Sequence, residues 1–263
     1  MKIGYCQFNV VNSNIDSNLD KIKELLVNIS AELIVLPELC MTGYYFSDKS
    51  RLAQLSTKAN QEKILSILTK LAKNNGSYIV AGITELENND LYNTAIVIGP
   101  NGSIGKHRKV NITKNETIFT RGTKFDVFDI GTVKIGIAIC FDSWFPESFR
   151  LLSLQGAQII CCPSNFGGPW TVDVMKVRSL ENQVFTVMSN RIGYEMIRDE
   201  KAEFRGESQI IDCGGNILLK AENNDCVGIV DVNPNEANKK GNIICDDMKY
   251  EMSLYKEYVT YTI

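Results

Sequence analysis

The stretch IGIAICFDSWFPE, residues 135–147, carries the signals of a strand, a turn and a helix in immediate succession. Its apolar first half ends at Cys140 and is typical of a buried β-strand. Pro146 and Glu147 are typical of the first turn of a helix, where proline costs no hydrogen bond. A buried strand that leads through a turn into a helix is the basic unit of an α/β fold, and it places Cys140 at the strand's carboxyl end.

The same succession of elements occurs twice along the chain. In the first half, apolar runs predict strands at 2–9, 31–39, 78–86 and 91–99, and helical spacing predicts helices at 12–29 and 60–74. In the second half, the predicted strands lie at 132–140, 157–165, 184–190 and in a Gly-Gly hairpin at 207–221, and the helices at 145–156 and 171–183. Both halves therefore run strand, helix, strand, helix, strand, strand.

Turn and cap residues separate these predicted elements. Ser13 and Asn14 are candidate caps of the first helix, and Gly76 is the expected end of the second. Pro37 and Pro163 are each predicted to end a strand, because proline has no backbone N–H to donate to a sheet.

The two halves follow one another without a linker rich in proline, glycine or serine, so we expect one domain over residues 1–263. Two sheets packed face to face, with helix layers outside, bury the apolar faces of both halves. The tail, residues 241–263, is rich in aromatic residues without a clear period. We expect the tail to pack on another surface, such as a partner subunit.

The composition indicates an ordinary globular protein. Hydrophobic residues are 44% of the chain, charged residues 22%, and the net charge is −3, which argues against a basic surface for nucleic acid. The basic run at residues 106–109 is too short to change this, and its simplest interpretation is a solvated turn after Asn101-Gly102. No signal peptide is visible, and the longest apolar runs are too short to span a bilayer. We therefore expect a cytoplasmic protein without membrane contact.

The cysteines do not indicate a metal site or disulfides. No CxxC pair occurs, and His107 is the single histidine, so neither a structural metal nor a cofactor is expected. Cytosolic thiols stay reduced, and most of these cysteines are expected to be small buried hydrophobic residues. The eight cysteines are Cys6, Cys40, Cys140, Cys161, Cys162, Cys213, Cys226 and Cys245.

Three reactive side chains are predicted near strand ends, where α/β proteins place their sites. Glu38 follows a buried strand, and desolvation there raises a carboxyl pKa toward the range of a general base. Cys140 is a candidate nucleophile, and Lys109 a candidate stabiliser of a developing oxyanion. Each has a simpler interpretation when taken alone: a surface glutamate, a buried thiol and a solvated lysine. Together they suggest that a carboxylate replaces the histidine that usually activates a thiol.

At these residues the chain resembles the nitrilase superfamily of carbon–nitrogen hydrolases, from Met1 to about Asp247. The family's glutamate motif resembles LIVLPELCMTGY and places the base at Glu38, and its lysine motif resembles KHRKVN and places the lysine at Lys109. Its cysteine motif resembles the opening stretch and places the nucleophile at Cys140. A second family glutamate corresponds to Glu116 in KNETIFTRG, with the implied role of holding Lys109 and Glu38. Further similar stretches are LYNTAIVIGPNG, RSLENQVFTVMSN and FRGESQIIDCGGNIL.

The resemblance implies a four-layer α-β-β-α sandwich with two mixed sheets and helices outside, consistent with the repeated element order. Two departures lie beside Lys109: His107 stands where tyrosine is usual, and Val110-Asn111 replaces a residue–histidine pair. We expect these departures to reshape the pocket wall without removing a catalytic group.

The activity implied is hydrolysis of a small linear amide through a cysteine acyl-enzyme, without a cofactor, giving acid plus ammonia or amine. CFDSWFPE and SNFGGPW resemble the aliphatic-amidase and N-carbamoyl-amine hydrolase branches, so N-carbamoyl-amine hydrolysis is the alternative and nitrile hydrolysis a less favoured one. The backbone N–H of Phe141 is expected to join Lys109 at the oxyanion. The other expected pocket residues are Tyr44, Trp144, Asn165 and Phe166. A place in the core is the alternative for Trp144 and Phe166.

Two alternatives from other functional classes stay open at this stage. One is a non-catalytic binding protein on the same fold. The other is a redox thiol at Cys140, with Cys40 as the resolving cysteine. The resemblance also implies at least a homodimer, paired through the helices around residues 145–155 and 174–183, with the aromatic tail crossing to the neighbour.

Overall fold

The structure is a computed structural model that describes residues 1–197, 199–237 and 248–254. The strands are β1 Lys2–Gln7, β2 Leu33–Val35, β3 Tyr78–Glu87, β4 Asp90–Gly99, β5 Gly102–Arg108, β6 Val127–Asp129, β7 Lys134–Ile137, β8 Ile159–Ser164, β9 Phe185–Asn190, β10 Ile192–Ile197, β11 Glu200–Arg205, β12 Gln209–Ile211, β13 Ile217–Lys220 and β14 Cys226–Asp231. The helices are α1 Ile15–Leu26, α2 Lys49–Leu55, α3 Lys58–Asn75, α4 Pro146–Leu154, α5 Thr171–Asn182 and α6 Met248–Ser253, with 3₁₀ turns at Cys140–Trp144 and Pro234–Glu236.

The two large sheets have the same internal order. One runs β14-β1-β2-β3-β4-β5 and the other β6-β7-β8-β9-β12-β13. In each, three neighbouring strands are parallel (β1, β2 and β3; β7, β8 and β9), and the flanking pairs are antiparallel. The repeated succession seen in the sequence is therefore a repeat of topology. Glu38 follows β2, and Cys140 follows β7, the counterpart of β1.

Successive side chains along a strand point to opposite faces of the sheet and so pack in different layers. In β2, Leu33 and Val35 point into the cluster between the two sheets, while Ile34 points to the cluster beneath α1 and α3. The cluster between the two sheets continues through the second sheet to Phe149 of α4 and Met175 of α5, the helices that cover this sheet. Two mixed sheets face each other with helices outside, so the predicted four-layer α-β-β-α sandwich is confirmed.

Two predicted caps are confirmed, and a tight loop joins β3 to β4. The Asn14 side chain accepts a hydrogen bond from the backbone N–H of Ser17 at 3.0 Å and caps α1. Gly76 ends α3 with a left-handed φ of 63°. Asn88 and Asn89, both at positive φ, form the two-residue loop between β3 and β4.

Two local predictions were wrong. Pro163 does not end β8, which continues to Ser164. The neighbouring strand β7 stops at Ile137, so no acceptor in β7 requires a backbone N–H at residue 163. The basic run is not a solvated turn either: its first three residues belong to β5, and Lys109 is 1% exposed.

Short or weakly alternating segments were not predicted from the sequence. They include α2, β5, β6, β14 and the β10–β11 hairpin. Their pairing partners lie elsewhere in the chain, so local periodicity does not indicate them. The predicted packing of residues 241–263 lies mostly outside the described residues. Of this tail the structure describes residues 248–254, which include α6. Within the described residues, none of the helices combines the length and the apolar character that a bilayer crossing requires.

Candidate active site

Cys140 opens a tight turn at the end of β7. It is 4% exposed and has a φ of 47°, a left-handed conformation that is unusual for a residue with a side chain. The Asp142 carboxylate accepts hydrogen bonds from the backbone N–H groups of Ile139 at 3.0 Å and Asn111 at 2.7 Å. Asp142 therefore ties the turn that carries Cys140 to the segment that follows Lys109.

Glu38 is held by a close approach between two backbone segments. It follows β2 and is fully buried, so the interpretation as a surface glutamate was wrong. The N–H of Gly82 in β3 donates to Pro37 O at 3.2 Å, and the N–H of Cys40 donates to Gly82 O at 3.0 Å. A Cβ at residue 82 would lie 2.5 Å from both Pro37 O and Leu39 N, so only glycine permits this approach.

Lys109 lies between two carboxylates. Its Nζ is 2.6 Å from Glu38 Oε1 and 2.7 Å from Glu116 Oε1. Glu116 is also buried, and its Oε2 accepts a hydrogen bond from the backbone N–H of Thr113 at 2.8 Å. The solvated-lysine interpretation was therefore wrong, and the structure brings Lys109 into direct contact with both Glu38 and Glu116. Glu38 Oε2 is buried without a hydrogen-bond partner.

The pKa shifts follow from this burial. Burial raises the pKa of Glu38; the Lys109 ammonium opposes this, and the Glu116 charge adds to it. Burial by itself lowers the pKa of Lys109, but the two carboxylates outweigh it and hold the pKa well above its usual value. Burial also raises the pKa of the Cys140 thiol, followed by the Glu38 charge, and Lys109 offsets this only in part. The resting thiol is therefore protonated and requires a base for attack.

The predicted pocket residues fall into two groups. Tyr44, Asn165 and Phe166 are each 7% exposed, and Tyr44 has its ring centroid 5.9 Å from Lys109 Nζ. The backbone N–H of Asn165 lies within hydrogen-bonding reach of the Cys140 sulfur and lowers its pKa. The Asn165 side chain is buried with neither polar atom partnered. Phe166 belongs to the core cluster that contains Cys140.

The second group lies nearer the surface. Trp144 is 38% exposed, so its interpretation as a core residue was wrong. Phe141 is half-buried and packs edge-to-face against Phe145, with ring centroids 5.4 Å apart. Phe141 stands second in the 3₁₀ turn, where N–H groups have no partner within the turn as a rule.

Two buried polar residues of the site were missed in the sequence. Asn93 lies in β4 and donates from Nδ2 to Glu38 Oε1 at 2.6 Å and to Glu116 Oε1 at 2.9 Å. The available signal was a pair of polar residues, Asn93 and Thr94, inside an otherwise apolar strand. Asp142 is the other, and its signal was a carboxylate two residues after the cysteine.

His107 lies behind this site. Its Nδ1 is 3.2 Å from Asp126 Oδ2, and its Nε2 is 3.7 Å from Asp142 Oδ2. The residue that stands where tyrosine is usual therefore contacts the carboxylate that holds the Cys140 turn. Within the described ranges, no group of three or more histidine, cysteine or acidic side chains has the arrangement of a metal site.

The chain is similar to carbon–nitrogen hydrolases in sequence and to an amidase in fold. The sequence profile described as "Carbon-nitrogen hydrolase" matches residues 2–240. The chain is 37% identical over 238 residues to a nitrilase from Pyrococcus abyssi, covering 88% of this chain and 89% of that protein. It is 33% identical over 216 residues to an N-carbamoylputrescine amidase from Arabidopsis thaliana, covering 73% and 72%. A mutant amidase from Nesterenkonia sp. AN1, with acrylamide added at its active-site cysteine, superposes with a TM-score of 0.83 at 20% identity, covering 98% and 99% of the two chains.

Proposed function

The chain belongs to the carbon–nitrogen hydrolase family, and we propose that it hydrolyses a small linear amide through an acyl-enzyme on Cys140. The observation that carries this proposal is a carboxylate, Glu38, with one oxygen locked against Lys109 and the other buried and unpartnered. Such an oxygen is a strong proton acceptor, and the protonated thiol of Cys140 requires one.

The reaction follows in two stages. Glu38 takes the thiol proton as the Cys140 sulfur attacks the amide carbon, and charge develops on the carbonyl oxygen. Lys109 and the backbone N–H of Phe141 stabilise that charge. Collapse of the intermediate breaks the C–N bond, and Glu38 returns the proton to the leaving ammonia or amine. Glu38 then takes a proton from water, and the hydroxide attacks the thioester. Collapse of this second intermediate breaks the C–S bond and gives the acid, and Glu38 returns its proton to the leaving Cys140 sulfur.

The proposal is tested with purified protein and a panel of primary amides. We expect ammonia release and, in samples quenched during turnover, an adduct heavier than the protein by the acyl group minus one hydrogen. Cys140→Ala is expected to abolish both while keeping the wild-type circular dichroism spectrum. Amide turnover retained by Cys140→Ala would end the proposal. Peroxide consumption without ammonia release would favour the redox alternative.

A second candidate, hydrolysis of N-carbamoyl amines, is favoured by the free carboxamide of Asn165. A buried donor and acceptor without partners are costly unless a ligand satisfies them, and a ureido group offers one N–H more than an amide. The Arabidopsis thaliana relative is named for such a substrate.

Matched substrates distinguish the two candidates. An N-carbamoyl alkylamine is compared with the amide in which CH₂ replaces the inner N–H. If Asn165 accepts a hydrogen bond from that N–H, Asn165→Ala lowers kcat/KM for the carbamoyl compound by about 10-fold or more. The kcat/KM for the amide is then nearly unchanged. Equal losses on both compounds would contradict this candidate.

We also propose a homodimer that buries the face formed by α4, α5 and the Cys140 turn. This face exposes large apolar side chains, which a monomer rarely leaves in water. They are Trp144, Phe145, Leu151, Trp170 and Val177. Sedimentation of the wild type is expected to show a dimer or larger assembly, and Leu151→Glu a smaller species. A wild-type monomer would contradict the proposal.

We further propose the cytoplasm as the compartment of this protein. Six buried or half-buried cysteines of the described residues are free thiols, as a reducing compartment allows: Cys6, Cys40, Cys140, Cys161, Cys162 and Cys226. Cell fractionation is the test, and recovery only from an extracellular fraction would contradict it.

A further inference from the structure

We propose that Asn93 is a positioning residue of the active site, which fixes the Glu38 carboxylate so that Oε2 alone is available for proton transfer. This inference rests on the proposed function, because it takes Glu38 as the group that moves the proton. Asn93 is not one of the side chains that react. It is 1% exposed and lies in β4, which β3 separates from β2, the strand that leads to Glu38.

Asn93 and Lys109 together form a closed ring with the two carboxylates. Asn93 Nδ2 donates to Glu38 Oε1 at 2.6 Å and to Glu116 Oε1 at 2.9 Å. Lys109 Nζ donates to the same two oxygens, at 2.6 and 2.7 Å. Nitrogen and oxygen therefore alternate around four atoms, and both hydrogens of the Asn93 amide are used.

The ring makes the two oxygens of Glu38 inequivalent. Oε1 accepts from two donors, whereas Oε2 is buried with no partner. A carboxylate held by Lys109 alone would be free to pivot about that one contact. The second donor, from the other side, removes this freedom and leaves Oε2 as the only oxygen with unused lone pairs.

Asn93 also reaches Lys109 through the main chain. The backbone N–H of Lys109 donates to Asn93 O at 2.8 Å. Asn93 therefore contacts all three members of the ion cluster, two by its side chain and one by its backbone. Its own Oδ1 is buried and unpartnered, so the amide is retained in the site for its two N–H donors.

A neutral donor suits this position better than a charged one. A lysine would add a second ammonium, and an aspartate would place a third carboxylate beside Glu38 and Glu116. The Asn93 hydrogen bond favours the ionised form of Glu38 and lowers its pKa against the effect of burial. Loss of this donor is therefore expected to raise the pH at which Glu38 becomes an active base.

The test compares three variants with the wild type. Asn93→Asp keeps the size of the side chain but removes both donors, and Asn93→Ser is smaller and keeps one hydroxyl donor. The control is Thr94→Val, which removes a hydroxyl bonded to Glu85 at 2.9 Å on the other face of the same strand. The readouts are kcat, KM and the acidic limb of the pH profile of kcat/KM, together with the pH dependence of Cys140 alkylation by iodoacetamide.

For Asn93→Asp we expect kcat to fall by about 10- to 100-fold with KM changed less than about threefold, and the acidic limb to move to higher pH. Asn93→Ser is expected to lie between Asn93→Asp and the wild type, and Thr94→Val to match the wild type. An unmoved acidic limb in a folded Asn93→Asp or Asn93→Ser protein, or a loss confined to KM, would overturn the inference.

The alkylation readout separates this inference from the proposed function. If the wild type shows no amide turnover, the proposed function fails, but the alkylation profiles of the variants still report proton transfer from Cys140. A shift of the alkylation profile to higher pH in Asn93→Asp supports the inference. Identical profiles in the wild type and both Asn93 variants contradict it, even if amide turnover through Cys140 is demonstrated.

Discussion

Two buried ion clusters in this molecule differ in one respect. Around Glu195, both carboxylate oxygens are satisfied: they accept from the backbone N–H groups of Tyr44 and Tyr45, from the Asn12 amide and from Arg191. Around Glu38, one oxygen is satisfied and the other has no partner. A fully paired buried carboxylate is inert, whereas one with unused lone pairs is prepared to take a proton.

The Glu195 cluster builds the wall of the site rather than its chemistry. Arg191 donates to Val10 O at 2.6 Å, and its guanidinium carbon lies 4.3 Å from the centroid of the Phe204 ring. Glu195 belongs to β10, while Tyr44 follows the segment that carries Glu38. The cluster therefore ties the second half of the chain to a pocket wall made by the first half.

The largest expected effect is a loss of activity that distinguishes Glu38 from Glu195. Glu38→Gln removes the proton acceptor but keeps the shape of the side chain, so kcat is expected to fall by about 100- to 10,000-fold. Glu195→Gln, the matched control, is expected to keep kcat within about 10-fold of the wild type in the folded protein. Steady-state kinetics on one amide provide the measurement. Equal losses in both variants would remove the distinction between the clusters.

The next largest effect is expected on the stability of the fold and concerns the Glu195 cluster. Arg191→Met leaves Glu195 buried without its cation, and we expect the free energy of unfolding to fall by about 3–5 kcal/mol. Urea denaturation at neutral pH provides the measurement. The double variant Arg191→Met/Glu195→Gln, which removes the stranded charge, should recover part of the loss. A single variant as stable as the wild type would show that the pair adds nothing to the fold.

A smaller effect concerns pH and the residue behind the Cys140 turn. Burial by itself lowers the pKa of His107, but Asp126 and Asp142 outweigh it and the net pKa is raised above 6.5. The folded protein therefore binds this proton more tightly than the unfolded chain. The resulting stability is present in full below about pH 6.5 and is lost as pH rises through the folded-state pKa.

Substitution of His107 tests this dependence. In urea titrations across that pH range, the difference in stability between the wild type and His107→Gln is expected to shrink as pH rises. A difference that stays constant with pH would show that His107 does not change its charge. Thr94→Val serves as a control: it removes a buried hydrogen bond to Glu85, whose pKa is lowered by Arg108 and Lys106 against the effect of burial, so that this carboxylate stays ionised over the same pH range.

The smallest effect is expected at an exposed ion pair. Lys201 Nζ lies 2.6 Å from Glu203 Oε1, with side chains 50% and 69% exposed. Water and salt screen such a pair, so Lys201→Ala is expected to leave stability close to that of the wild type. Thermal unfolding measures this change. A loss as large as that of Arg191→Met would show that burial is not what distinguishes these pairs.

The catalytic candidates were accessible from sequence because each stands in a motif at a strand end. Glu38, Lys109 and Cys140 were predicted in this way, and the structure places Glu38 and Lys109 in contact. Asn93 was not predicted, because a polar residue in a strand pattern looks the same whether it faces a carboxylate or solvent. Glu195 was not predicted because its strand, β10, was not predicted either. Only the partner strands reveal which it is.

The sequence by itself determined the order of the long, regularly patterned strands and helices, the caps at Asn14 and Gly76, and the residue types available for chemistry, because these depend on neighbours a few positions away. The tertiary structure decided which charges are buried and which atoms are left unpartnered. Lys109 and Glu38 are separated by 71 residues and meet only when β2 and β5 join one sheet. Burial and pairing are properties of such long-range contacts, so the free oxygen of Glu38 is absent from any local pattern.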